Sequence, residues 1–210
     1  MGLKSLLFSN PILFLIVAVV LLYSIIAHEV AHGLVARIFG DDTAKRQGRI
    51  TLNPLPHIDP IGVLMLFLVG FGWAKPVPVN YHLLQNSRFG LISVSMAGCL
   101  TNILIAFIAL LALQFPAASA SSSTMTVLTT VARINILLGA FNLIPIPPLD
   151  GSKVLMSFLP PGARESLVRI EPYGFFILIF FLFTGLLNPV IGVVQNAVYG
   201  LVSFMVGLIT

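Results

Sequence analysis

The sequence predicts an all-α, polytopic membrane protein: a bundle of about five to six transmembrane helices, with a re-entrant or interfacial segment and room for short β-hairpin strands. Three observations carry that expectation. Of 210 residues, 58% are hydrophobic and only 9% are charged, where a water-soluble domain of this size holds roughly a quarter. Mean hydropathy is +1.04. The apolar residues gather into long runs, separated by short connectors that carry most of the cations and prolines. No polar stretch is long enough to form a separate soluble domain, so residues 1–210 read as one integral membrane domain with no segment for an appended peptide-binding module.

Residues 11–39 form the first run, and its length and interior polar residues mark it as a retained span rather than a cleaved signal peptide. Gly40-Asp41-Asp42 ends it, and a basic connector with Lys45, Arg46 and Arg49 follows. Residues 49–53 alternate in polarity, as a short strand would, before the proline-broken stretch that contains His57 and Asp59. Residues 61–73 are apolar but only about 20 Å long as a helix, too short for a comfortable span, which gives the re-entrant or interfacial reading. Residues 75–80 alternate again, and Pro76 and Pro78 confine any strand there to a sheet edge.

A full span follows at 89–115, on which Gly98, Asn102 and Ala106 recur every four residues and make a face that another helix can approach closely. The connector 116–124 is rich in Ala and Ser and carries no charge. Residues 125–146 cross again and end in Asn142, Pro145, Pro147 and Pro148, ahead of Asp150-Gly151. Two last apolar segments, 173–187 and 190–209, are parted by Asn188-Pro189. The single cysteine, Cys99, excludes an intrachain disulfide, and no Lys/Arg stripe interleaved with exposed aromatics suggests nucleic acid.

Charge placement gives an orientation. Arg37, Lys45, Arg46, Arg49, Lys75, Arg88, Lys153, Arg164 and Arg169 flank the runs on one common side if 61–73 does not cross, and the positive-inside rule makes that side cytoplasmic. Lys4 and Arg133 depart from the pattern, and Arg133 can snorkel towards the outer face.

The chemistry is concentrated in His28-Glu29-Val30-Ala31-His32, near the end of the first run. Residues four apart on a helix share a face, so His28 and His32 can offer two imidazoles to one metal ion, with Glu29 beside them. This is the HExxH spacing of zinc hydrolases, in which the metal makes water acidic and the glutamate takes its proton. Ionisable groups inside a membrane helix are costly, and a metal accounts for three together. A third ligand must come from elsewhere. Ile38 stands where the elongated HExxHxxGxxH pattern needs histidine, and no Glu occurs between Glu29 and Glu165. Asp150, Asp59, His57, His82, Asp41 and Asp42 remain. Asp150 is the best of these, because it follows a proline-unwound helix end at the same membrane depth as the histidines. His57 and Asp59 read more simply as a turn than as a second metal site, and Asn102 as helix packing.

HEVAH in a first apolar segment, with Asn142-x-x-Pro145-x-x-x-x-Asp150-Gly151 closing a later one, resembles the site-2 protease family of intramembrane metalloproteases. HIDPIG at 57–62, GWAKPVPVN at 72–80 and Gly98-x-x-x-Asn102 resemble its compact prokaryotic branch. Position 99 departs from that pattern, being Cys where many relatives carry proline. The resemblance implies one Zn2+ held by His28, His32 and Asp150, Glu29 as general base and proton donor, and Asn142 as a donor to the oxyanion. It also implies a multi-pass protein of a prokaryotic cell membrane that cuts transmembrane segments of membrane proteins near the cytoplasmic side. Residues 49–53 and 75–80 would then supply strand edges for an unwound substrate. Two rival classes fit the same ligands, an inactive relative that scaffolds membrane partners and a metal transporter. The complete metal set argues against the first, and Glu29, for which transport has no use, against the second.

Overall fold

The computed structural model describes residues 7–69, 72–84 and 87–210. Lys4 lies outside them, as does the side chain of His82. The first long helix, α1, is Pro11–Ile38, 28 residues and about 42 Å long, enough to cross a bilayer with a turn or more projecting. Its start is set by Asn10, whose side-chain oxygen accepts from Leu13 N–H at 3.0 Å, and by Pro11 in the first turn, where a missing N–H costs nothing. Helix α2, Pro60–Val69, has 10 residues and cannot cross, in keeping with the interfacial expectation. Two long helices follow: α3, Arg88–Ala112, capped by Ser87 on Gly90 N–H at 2.9 Å, and α4, Ser122–Asn142, capped by Ser121.

After the prolines at 145–148 the chain re-enters a short helix, α5, Asp150–Met156. Then come α6, Pro161–Ile170, a 3-10 turn at Glu171–Tyr173, α7, Gly174–Thr184, and α8, Asn188–Gly207. Five segments among the described residues are long and apolar enough to cross a membrane: Pro11–Ile38, Arg88–Ala112, Ser122–Asn142, Gly162–Thr184 and Asn188–Gly207. The protein is thus a multi-pass, mostly helical membrane protein.

Helix α3 is the centre of the bundle, packed against both α1 and α4, with α8 closing on α3 and α4 and α5 leaning on α3. Ala106 of α3, Ile136 and Ala140 of α4, and Val198 and Val202 of α8 form the interior seam. Small residues let these backbones approach closely, since lipid tails offer no hydrophobic push between helices. Large apolar side chains such as Leu15, Phe176, Val193 and Phe204 point outward instead.

The expected strands are a correction. Among the described residues no strand forms, and 74–80 shows why. Pro76 and Pro78 have no N–H to give, and three of its remaining donors go to three separate groups. Lys75 N–H donates to the His57 carbonyl at 2.8 Å, Val77 N–H to the Glu29 carboxylate at 2.9 Å and Asn80 N–H to the Asp41 carboxylate at 2.6 Å. Residues 51–55 fold into local turns, with Asn53 N–H donating to Thr51 Oγ1 and Leu55 N–H to Asn53 Oδ1, both at 3.1 Å. A β-hairpin has no ladder left to make.

Candidate metal centre

Helix α1 carries His28 and His32 one turn apart, both buried, and their Nε2 atoms lie 3.1 Å from each other. Asp150, the first residue of α5, brings one carboxylate oxygen to 3.0 Å from His28 Nε2 and 3.2 Å from His32 Nε2. The three donor atoms all lie within 4.8 Å of one another. The distant aspartate chosen by elimination therefore meets the histidine pair in space, across 122 residues of chain.

Proton bookkeeping around the rings decides what this cluster needs. The Asn135 amide nitrogen faces the Val131 carbonyl at 2.9 Å, so its Oδ1 faces the Asn102 amide nitrogen at 2.8 Å. Asn102 therefore presents Oδ1, an acceptor, to His28 Nδ1 at 2.6 Å, and His28 must carry its proton there. His32 Nδ1 likewise donates to the Val94 carbonyl, at 2.7 Å. When both imidazoles are neutral and protonated on Nδ1, both Nε2 lone pairs converge on a carboxylate oxygen, and three acceptors meet with no hydrogen between them. A cation satisfies that arrangement, and two imidazoles with one carboxylate form a catalytic zinc set that leaves a fourth position free.

The surroundings are built for the rings. Gly98 of α3 lies against the His28 ring, so closely that a Cβ there would overlap it. The Asn102–Asn135 pair continues to Ser24 of α1, whose hydroxyl accepts from Asn135 at 2.8 Å, so the orientation of His28 is fixed from three helices. Sequence reading took Asn102 for packing and did not single out Asn135 or Ser24. The regular spacing of Gly98 and Asn102 was the available signal, since it put a polar amide on the face that meets α1.

Glu29 is held from the other side. Gly33, one turn further along α1, leaves room for Val77, whose Cγ1 would be 3.0 Å from a Cβ at 33, and the Val77 N–H reaches the Glu29 carboxylate. Lys153, one turn after Asp150, donates to the Tyr81 hydroxyl at 2.9 Å. Burial works against the Lys153 ammonium, but Tyr81 and the Asp150 charge more than offset it and raise its pKa above the ordinary value. Burial pushes the Tyr81 hydroxyl up, so it stays protonated.

The remaining candidates are engaged elsewhere. Asp59 caps α2, accepting from Ile61 and Gly62 N–H at 2.9 and 3.2 Å, and takes the Trp73 indole N–H at 3.1 Å. His57 Nε2 donates to the Thr51 carbonyl at 2.9 Å. Asp41 holds the backbone of Thr43 and Asn80. Asn142 ends α4 with its amide donating to the Leu138 carbonyl at 3.0 Å, and no hydrogen bond joins it to the histidines, Glu29 or Asp150 among the described residues.

Comparison with known proteins agrees with this geometry. The family model of peptidase family M50 matches residues 113–185. YwhC of Bacillus subtilis (strain 168), named as a zinc metalloprotease, is 39% identical over 186 residues, covering 85% of each chain. The chain belongs to peptidase family M50. Rip2 of Mycolicibacterium smegmatis, also named as a zinc metalloprotease, is 31% identical over 184 residues, 83% of this chain and 69% of that protein. The zinc metalloprotease MJ0392 of Methanocaldococcus jannaschii is 25% identical over 200 residues, 94% of this chain and 49% of its own. No solved structure matches the chain. The M50 assignment bears out the site-2 protease resemblance: the protein is a zinc-dependent metalloprotease.

Proposed function

We propose that this M50 protein is an intramembrane endopeptidase that cuts transmembrane segments of other membrane proteins near the cytoplasmic face. In this reading, 1–210 acts as one domain in a prokaryotic cell membrane. The observation that carries it is the position of the donor set. His28 and His32 sit on a membrane-crossing helix and are only 5% exposed, and Asp150 meets them at the end of the proline-rich turn that follows α4. A site at that depth fits a substrate that arrives through the bilayer.

His28, His32 and Asp150 are the proposed zinc ligands. Zinc held there would supply Lewis acidity for peptide hydrolysis near neutral pH. Glu29 takes the proton of the attacking water and returns it to the leaving amine, a role that suits a carboxylate held in place by the Val77 N–H. Asn142 has a second amide hydrogen beyond the one given to Leu138, and this is the proposed donor to the oxyanion. Asn102 and the Val94 carbonyl keep both imidazoles in the tautomer that leaves Nε2 free.

The test is cleavage of a panel of single-span membrane substrates by purified protein, with zinc measured in the same preparation. Glu29→Gln should keep one zinc per chain and lose about 10²–10⁴-fold in turnover. Wild-type turnover in Glu29→Gln would overturn the reading. So would a wild-type enzyme that cuts water-soluble peptides while leaving every membrane-embedded one intact.

A further inference from the structure

Beyond the end of α5 away from Asp150 lies a cavity of about 610 Å3, between the start of α3, the end of α5 and α6. Its polar lining is Arg88, Arg164, Arg169, Ser157 and Glu165, so three guanidinium groups face one carboxylate. That carboxylate is already engaged: Glu165 meets Arg169 at 3.8 Å, one turn away on the exposed face of α6. Arg88 and Arg164 meet no carboxylate among the described residues. Arg88 is also the first residue of α3, the end at which a helix dipole favours negative charge and disfavours a cation. Helix stability therefore gives no reason for it.

The rest of the cavity is apolar. Leu91, Leu159 and Val168 form its walls, and the adjoining Phe89 and Phe158 are 73% and 69% exposed. Arg88 opens one membrane-crossing segment, and Arg164 and Arg169 stand near the start of another, Gly162–Thr184. The arginines thus share a level with the ends of two spans, where lipid headgroups sit. A soluble anion has use for the guanidinium groups but none for the exposed phenylalanines and the leucine wall.

We propose that this cavity is a binding site for one anionic phospholipid, its phosphate held by Arg88 and Arg164 and its acyl chains lying against Leu91, Leu159 and Val168. Guanidinium forks match phosphate oxygens two at a time, and basic pockets between transmembrane helices suit anionic headgroups. The site is separate from the metal centre and uses none of its ligands. Bound lipid would brace α5, and with it Asp150, against α3.

The experiment is native mass spectrometry of the full chain in neutral detergent, titrated in turn with phosphatidylglycerol, phosphatidylcholine, inorganic phosphate and an acidic peptide, with zinc content as the check on folding. One phosphatidylglycerol should bind per chain, at least tenfold more tightly than phosphatidylcholine. Each arginine near the membrane surface is worth about fivefold, so Arg88→Gln with Arg164→Gln should weaken it about 25-fold and leave zinc in place. Glu165→Gln removes the opposing carboxylate from an exposed position and should tighten binding a few-fold. That gain decides the matter even if the double arginine variant loses its fold. Equal binding of the two lipids, an unmoved affinity in the folded double variant, or no gain in Glu165→Gln would overturn the proposal. Displacement of phosphatidylglycerol by equimolar phosphate or acidic peptide would overturn it in favour of a soluble ligand.

Discussion

At the scale of single residues, the metal centre depends on atoms that never touch the metal. His28 is useful only if its proton stays on Nδ1, and Asn102 Oδ1 at 2.6 Å is what keeps it there. Losing such an outer partner typically costs about 10–100-fold in metal affinity. Asn102→Leu should show that loss by chelator competition, whereas Asn102→Asp, which retains the acceptor, should recover most of it. Equal zinc affinity in Asn102→Leu would mean that the ring needs no partner. Asp41 plays a structural part of the same kind just past the C-terminal end of α1. Burial pushes its pKa up, but hydrogen bonds from Thr43 and Asn80, with Arg46 nearby, outweigh that and bring it below the ordinary value. A carboxylate depressed in the folded state contributes stability that is fully present above its unfolded pKa, about 3.9, and is lost as pH falls through the folded value. Asp41→Asn should therefore lower stability by about 1–3 kcal/mol at pH 7, with the gap closing as the medium is acidified below about pH 4. Thermal unfolding of both proteins in detergent across that range measures it, and a gap independent of pH would refute the assignment.

Among the elements, the segment at 74–80 was the hardest to read. Helices α1, α3 and α4 are legible because an apolar run of 20 or more residues admits few other structures in a bilayer, and the HEVAH spacing needs nothing beyond one turn of helix. Asp150 was legible by elimination together with depth. The alternating polarity of 75–80, by contrast, fits an edge strand and a tether equally, and the difference lies in where Val77 and Asn80 send their N–H groups. Their partners, Glu29 and Asp41, are 48 and 39 residues away in sequence, and no local pattern names them. Once seen, the contact makes the segment a clamp on the proposed general base. Val77→Pro removes that hydrogen bond and no other, a loss worth about 10–100-fold in rate for a bond to a charged group. It should lower kcat on a single-span substrate without releasing zinc, while Val77→Ala, which keeps the N–H, should act nearly as wild type. Matching kcat values for Val77→Pro and wild type would show that Glu29 is positioned without the clamp.

For the molecule as a whole, the division between interior and exterior departs from that of a water-soluble protein. Small and polar residues such as Ala106, Ala132, Ala140, Ser24, Asn102 and Asn135 are buried beside the apolar Ile26, Ile136 and Val202, and many large apolar side chains are exposed. Hydrogen-bonded amides between α1, α3 and α4 and close backbone approach along α3 work alongside the apolar seam, since lipid tails offer no hydrophobic push between helices. The proposed sidedness rests on the cations. With α1 ending beside Lys45 and Arg46, and α3 starting at Arg88, the proposed orientation has 40–49 and the candidate metal centre at the cytoplasmic face and the uncharged turn at Ser121 outside. Cys99 is fully buried, so single cysteines added elsewhere report topology without interference from it. Ser123→Cys should react with a membrane-impermeant maleimide in intact cells. Gln47→Cys, equally exposed on the protein surface, should react only after the membrane is permeabilised. Labelling in the reverse order would place the His28, His32 and Asp150 set beneath the outer surface, and cleavage near the cytoplasmic face would no longer be tenable.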